Sequence, residues 1–209
     1  MTLRTQLSAG VDALGLALDA TKQATLLAYI ELLAKWNRVH NLTAVRELEQ
    51  MVVVHLLDSL SLLPYVKDRA NLVDVGSGAG LPGIPIAIAR AELQITLLDS
   101  NHKKVAFLQQ VKAELALTNL TIVCERAQTW HPQQTFDIVV SRAFADLADF
   151  ARQARHLVAP GGQLLAMKGV YPYEEIAALP TGCELESVIE LQVPTLSAKR
   201  HLVAMAIHQ

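Results

Sequence analysis

The sequence predicts an α/β fold: a mostly parallel, Rossmann-like sheet, closed by an antiparallel C-terminal hairpin and preceded by an N-terminal helical cap. Three observations carry that reading. From residue 71 onward, short apolar runs alternate with segments of helical period, as expected of strands and crossover helices covering both faces of a sheet. The first of these runs ends in a cluster of glycines, where a buried strand can turn sharply into a helix. The last two runs, 183–193 and 201–207, are joined by a link too short for a helical crossover, so they should pair antiparallel.

Taken in order, residues 1–66 carry no strand pattern. Asp19 precedes Leu26, Leu27, Ile30, Leu33 and Ala34, which recur at helical spacing, and its carboxylate is suited to cap the free amides of a helix ending near Asn41. A second helix is expected from about Glu47, through Val52, His55, Leu56 and Leu60, to Pro64, with Glu47 and Glu49 near its positive end. The apolar content is too high for disorder, so 1–66 reads as a cap packed on a domain formed by 67–209. Strands follow at 71–75, 94–98, 120–124, 136–140 and 163–168, with helices at 84–90, 103–117 and 147–158. Pro160-Gly161-Gly162 turns the chain into the last parallel strand.

A chain of 209 residues suits one domain with a modest extension, and 52% hydrophobic residues suffice for a core. No window is long and apolar enough to span a bilayer, and residues 1–10 lack the order of a secretory signal. Cys124 and Cys183 lie far apart and outside any CxxC pattern, which argues against structural zinc or a disulfide framework. Both are expected as small buried groups in a reducing cytoplasm. A net charge of −2 is not the footprint of nucleic-acid binding by bulk charge, so any such site must be a local basic patch.

Residues 74–83, DVGSGAGLPG, admit two registers. Gly78, Gly80 and Gly83 match the dinucleotide fingerprint, whereas Gly76, Gly78 and Gly80, directly after Val73-Asp74-Val75, match S-adenosylmethionine-dependent methyltransferases. The second register is favoured, because Gly76 sits at the strand end and Asp74 just inside it, suited to hold the amino group of a methionine moiety. The C-terminal hairpin fits the class I methyltransferase sheet as well. Asp99 ends the second strand about 20 residues beyond the loop, where a carboxylate accepts hydrogen bonds from ribose hydroxyls under either register.

Larger motifs surround this loop: Trp36-Asn37 with Asn41-Leu42-Thr43-Ala44, then His55-Leu56-Leu57-Asp58-Ser59. After DVGSGAGLPGIP come Leu97-Leu98-Asp99-Ser100, Lys103-Lys104 with Phe107-Leu108, and Ser141-Arg142-Ala143-Phe144-Ala145. Pro160-Gly161-Gly162, Ala166-Met167-Lys168-Gly169 and Arg200-His201-Leu202-Val203 complete the set. Over nearly its whole length the sequence thus resembles the RsmG (GidB) family, bacterial 16S ribosomal RNA guanine-N7 methyltransferases. The resemblance implies a guanosine target at position 527, in the 530 loop, within the small ribosomal subunit. It implies cofactor contacts at Gly76, Leu81, Ala127, Gln128 and Arg142. An acid is common where Gln128 aligns, and the nearest acid here is Glu125.

RNA contact then falls to Arg126, Arg142, Lys168 and Arg200, all expected near strand ends, where they could grip phosphates; each is equally an ordinary solvated charge. Arg142 and Lys168 directly follow apolar strands and are candidates to position substrate; Arg38, Arg46, Lys103, Lys104 and Lys199 are weaker candidates. Asn41 and His55 are candidates to line a base pocket, although a satisfied helix histidine explains His55 as well. Trp36 and Phe144 could stack a flipped base, with the spacing of Trp36 favouring core. Guanine N7 has a lone pair and no proton to lose, so no general base, triad or metal is expected, only alignment. A monomer is expected. The competing readings are a small-molecule methyltransferase, a nicotinamide oxidoreductase and a silent RNA-binding module.

Overall fold

The computed structural model describes residues 1–66, 68–144 and 146–208. Lys67 at the expected domain boundary, Ala145 of the Ser-Arg-Ala-Phe-Ala motif and Gln209 lie outside the described residues. The cap begins with α1 (Leu3–Ala13), a helix that the sequence pattern did not single out, and α2 (Ala20–His40). Asp19 caps α2, its Oδ1 accepting from the Lys22 amide at 2.8 Å. Asn41 ends the helix in the left-handed region, at φ 49°.

The expected single helix over 47–64 is instead four short pieces: α3 (Leu48–Met51), a π-helical turn (Val52–Leu57), α4 (Asp58–Leu60) and a 3₁₀ turn (Leu63–Tyr65). A π-helical insertion rotates the residues on one side of it relative to the other. Its residues are all apolar except His55, so their periodicity does not disclose the change.

The sheet holds β1 (Asn71–Val75), β2 (Gln94–Leu98), β3 (Leu120–Val123), β4 (Phe136–Ser141), β5 (Val158–Lys168), β6 (Cys183–Glu190) and β7 (His201–Ile207). Their order is β3-β2-β1-β4-β5-β7-β6, parallel through β5, with β7 antiparallel to both β5 and β6. The expected hairpin is therefore present. β5 starts earlier than expected because Val158 pairs with Phe136 before the glycines. The helix expected over 147–158 ends at Ala154 and tightens into a 3₁₀ turn, Arg155–Leu157. The remaining helices are α5 (Gly83–Ala89), α6 (His102–Glu114), α7 (Leu147–Ala154) and α8 (Tyr173–Ala177).

One apolar cluster joins Leu7, Leu26 and Leu33 of the cap to Ile84 and Phe107 and to one face of the sheet through Leu72 and Ile138. A second covers the other face, where Val73 and Val139 meet Phe150 of α7. Two polar contacts tie α2 to the domain: Lys22 donates to the Ala89 carbonyl, and the buried Tyr29 hydroxyl donates to that of Ala79 within the glycine loop, at 2.8 Å each. Trp36 packs on Phe107 at 5.6 Å and belongs to the core side. Cys124 and Cys183 are free and half-buried, not fully buried as expected; Cys124 Sγ lies 3.2 Å from His102 Nδ1.

Candidate functional site

The strand order reverses direction between β1 and β4, and open α/β sheets bind ligands outside the carboxyl ends of the strands at such a point. The glycine loop is docked there by backbone bonds, with Gly76 and Ser77 amides donating to the Leu98 carbonyl at 2.8 and 3.1 Å. Asp74 is wholly buried beneath it, and its Oδ2 accepts from the Gly83 amide at the start of α5, at 2.8 Å. Gly83 permits that approach: a Cβ there would stand 2.3 Å from Leu97 Cδ2 and 3.0 Å from Asp74 Oδ2. Burial pushes the Asp74 carboxyl up to about 7, against the Gly83 hydrogen bond and Arg142, which hold it down.

Two open cavities meet at the loop. The first, about 290 Å³, is bounded by Gly76, Asp99, Lys104, residues 125–128, Ala143 and Phe144. Asp99 is fixed in its wall: Oδ2 accepts from the Gly78 amide and Oδ1 from the Asn101 amide, both at 2.9 Å. Gln128 Nε2 donates to Gln153 Oε1 at 2.8 Å across the same cavity. The second, about 220 Å³, is bounded by Leu42, Thr43, His55, Gly76, Ser77, Ala79, Leu81, Arg142 and Ala143. Gly76 and Ala143 line both, and a Cβ on Gly76, which has φ +70°, would stand 2.8 Å from the Ala143 Cβ. A side chain at residue 76 would therefore fill the place where the two cavities meet.

The second cavity rests on a buried ion cluster. Asp58, 1% exposed, places Oδ2 3.1 Å from Arg142 Nη1, an ion pair without hydrogen-bond alignment, and Oδ1 accepts from Arg200 Nε at 3.1 Å. Burial raises the Asp58 pKa, and the two guanidiniums counter it. Arg142 also reaches the Val54 carbonyl in the π-helical turn, at 3.5 Å. His55, from the same turn, shares a hydrogen bond with Thr43 Oγ1 at 2.9 Å. Burial, first, and the Arg142 charge lower its pKa to about 4, against the pull of the Val54 carbonyl, so the imidazole is neutral near pH 7.

The expected residues thus divide. Gly76, Asp99, Arg126, Ala127 and Gln128 line the first cavity; Gly76, Leu81, Arg142 and His55 line the second. Gly78 and Gly80 supply turns at φ +60° and +90°. Asp74 opens on neither cavity but staples the loop to α5. Asn41 is likewise elsewhere: it caps α2 and accepts from Arg46. Lys168, 10% exposed, is bonded to Glu175 Oε2 at 2.6 Å and to the Phe144 carbonyl at 3.4 Å, so its ammonium is held inward. Arg200 is drawn onto Asp58. Phe144 packs on Phe150 at 5.1 Å. Sequence reasoning missed Asp58 and Ser77. Asp58 stood inside a quoted motif, but nothing local marks it as the partner of two distant arginines. Ser77 Oγ is buried, borders the second cavity and has no hydrogen-bond partner among the described residues.

A family profile described as rRNA small subunit methyltransferase G, GidB, matches residues 22–203. The protein named Ribosomal RNA small subunit methyltransferase G from Laribacter hongkongensis is 54% identical over 207 residues, covering 99% of this chain and 100% of that one. Its namesake from Chromobacterium violaceum is 52% identical over 208 residues, with coverage of 99% and 100%. Among solved structures, the glycopeptide N-methyltransferase MtfA aligns with a TM-score of 0.63 at 13% identity, covering 73% of this chain and 95% of that one. A SAM dependent methyltransferase from Aquifex aeolicus aligns with a TM-score of 0.56 at 16% identity, covering 73% and 91%. At such identities the structural likeness is one of fold, the class I S-adenosylmethionine-dependent methyltransferase fold. With a profile spanning most of the chain and relatives more than half identical along nearly all of it, the chain belongs to the GidB family of rRNA small subunit methyltransferases.

Proposed function

We propose that this chain transfers a methyl group from S-adenosylmethionine to N7 of a guanosine in 16S ribosomal RNA, within the small ribosomal subunit. Family membership supplies the reaction class, and the observation that carries the site is the pair of cavities joined at Gly76 and Ala143. The residues present fit the cofactor. Asp99 would accept from ribose hydroxyls, and residues 125–128 would flank the adenine. When bound, S-adenosylmethionine supplies a methyl group made electrophilic by its sulfonium. The guanine base would then enter the second cavity under the cap, residues 1–66, beside His55 and Arg142.

Methylation at N7 leaves positive charge on the purine, so free cations beside it would oppose the reaction. The second cavity meets that need, since His55 is neutral and Asp58 offsets Arg142. No side chain need remove a proton, and the protein's part is to orient the lone pair toward the first cavity. The test is methyl transfer from labelled S-adenosylmethionine to small subunits taken from cells lacking the modification. Label at one guanine N7, lost in a folded Arg142→Ala variant, is expected. Binding of S-adenosylhomocysteine without label on the RNA would leave the fold assignment standing and sink the substrate assignment.

A further inference from the structure

The first cavity occupies the β1–β2–β3 side of the switch point, so the RNA must approach from the other side, over β4, β5, β7 and the cap. On that side, directly beyond the carboxyl end of β5, stand three apolar residues within four positions: Val170 and Tyr173, each 75% exposed, and Tyr171, 39% exposed. Isolated surface apolar groups are ordinary, but a contiguous set beside a binding cleft marks a contact surface. The two tyrosine rings pack together, centroids 4.2 Å apart and planes tilted by 35°, and Tyr171 meets the buried His201 edge-on at 5.7 Å.

The platform is anchored. Lys168, just before it, is tied to Glu175, just after it, and Glu175 Oε2 also accepts from the Leu147 amide at 2.8 Å. The lysine expected to grip phosphate thus holds the tyrosine-bearing segment in place. Arg200, whose Nε is held by Asp58, lies beside it: it precedes His201, the register partner of Lys168, and a Cβ on Gly169 would stand 3.9 Å from Arg200 Nη1.

We infer that Tyr171 and Tyr173 form a stacking platform for an unpaired RNA base next to the target guanosine. This rests on the rRNA reading above. RNA recognition favours splayed bases stacked on aromatic faces, and the exposed outer face of Tyr173, braced by Tyr171, is such a surface. The ring is needed and the hydroxyl is not: among the described residues neither tyrosine hydroxyl holds a hydrogen bond that would fix the platform.

The test compares the parent, a Tyr171→Leu/Tyr173→Leu variant and a Tyr171→Phe/Tyr173→Phe variant in two assays. In the first, anisotropy follows binding of labelled single-stranded oligoadenylate, with no methyl transfer required. The leucine variant should bind about tenfold or more weakly and the phenylalanine variant like the parent, as loss of stacking on one base implies. In the second, methyl transfer to small subunits should show KM raised in the leucine variant, with kcat and S-adenosylhomocysteine affinity within about twofold. Parent binding of oligoadenylate no tighter than that of the leucine variant, including no binding at all, overturns the platform whatever the second assay gives. Ring-dependent oligoadenylate binding without label on any ribosomal RNA keeps the platform and removes the rRNA reading instead.

Discussion

On the β2 and β3 side of Gly76 the cleft is organised by the glycine loop and Asp99, which accepts from the Gly78 and Asn101 amides at the ends of neighbouring strands, with residues 125–128 as its far wall. On the other side it is made of side chains gathered from Thr43, His55, Asp58, Arg142 and Arg200. On the proposed function the first half takes the cofactor, a ligand common to many methyltransferases. On that same function the second admits a base in one orientation, which demands fixed side chains, and Asp58 fixes both arginines at once. The two halves should therefore fail separately.

Asp58 gives the largest separation. Asp58→Ala leaves two partly buried guanidiniums without their shared carboxylate, and stability should fall by about 3 kcal/mol in urea unfolding. Methyl transfer should drop at least tenfold in protein that remains folded, as Arg142 loses its position, whereas S-adenosylhomocysteine affinity stays within about twofold. Parallel loss of cofactor affinity and transfer would show that the halves are one unit. Gly76→Ala attacks the junction. The added methyl meets Ala143 at 2.8 Å and sits on a backbone of positive φ, so cofactor affinity should fall about 100-fold by calorimetry. Affinity within threefold of the parent would mean that the loop yields and the absence of a side chain at residue 76 is not required.

The sequence disclosed these halves unequally, for the same reason that they differ. The glycine loop, Asp99 and the Asp19 cap are local devices, their bonds closing over a few residues or between consecutive strands, so pattern and spacing expose them. Asp58 meets Arg200 142 residues further along, a pairing that exists only once β7 has joined the sheet. Lys168 read as a phosphate contact because it follows a strand, but α8 folds Glu175 back onto it. Asn41 read as base-lining from its motif, yet its left-handed backbone makes it a helix terminus. Burial decided the role of Asp74: the strand-end position was legible, but not that the carboxylate would face α5.

The smallest effect concerns His55, and it tests whether the substrate half is kept uncharged. Its folded-state pKa of about 4 lies below the ordinary value of 6.5, so the unfolded chain binds the proton more tightly. The stability from neutral His55 is fully present above pH 6.5 and is lost as pH falls toward 4. Between pH 7 and pH 5 the loss should reach about 2 kcal/mol. Asp74 acts in the opposite sense: with its folded pKa raised to about 7, it favours the folded state at lower pH and withdraws that support as pH rises from about 4 to 7. The parent's pH profile alone therefore mixes the two. Urea unfolding of the parent and His55→Gln at both pH values isolates the histidine, because Asp74 is common to both. The parent should lose about 2 kcal/mol relative to the variant on going from pH 7 to pH 5. An unchanged difference would mean that His55 takes up its proton in the folded enzyme, placing a cation beside the base and removing the electrostatic reason for setting this half of the cleft apart.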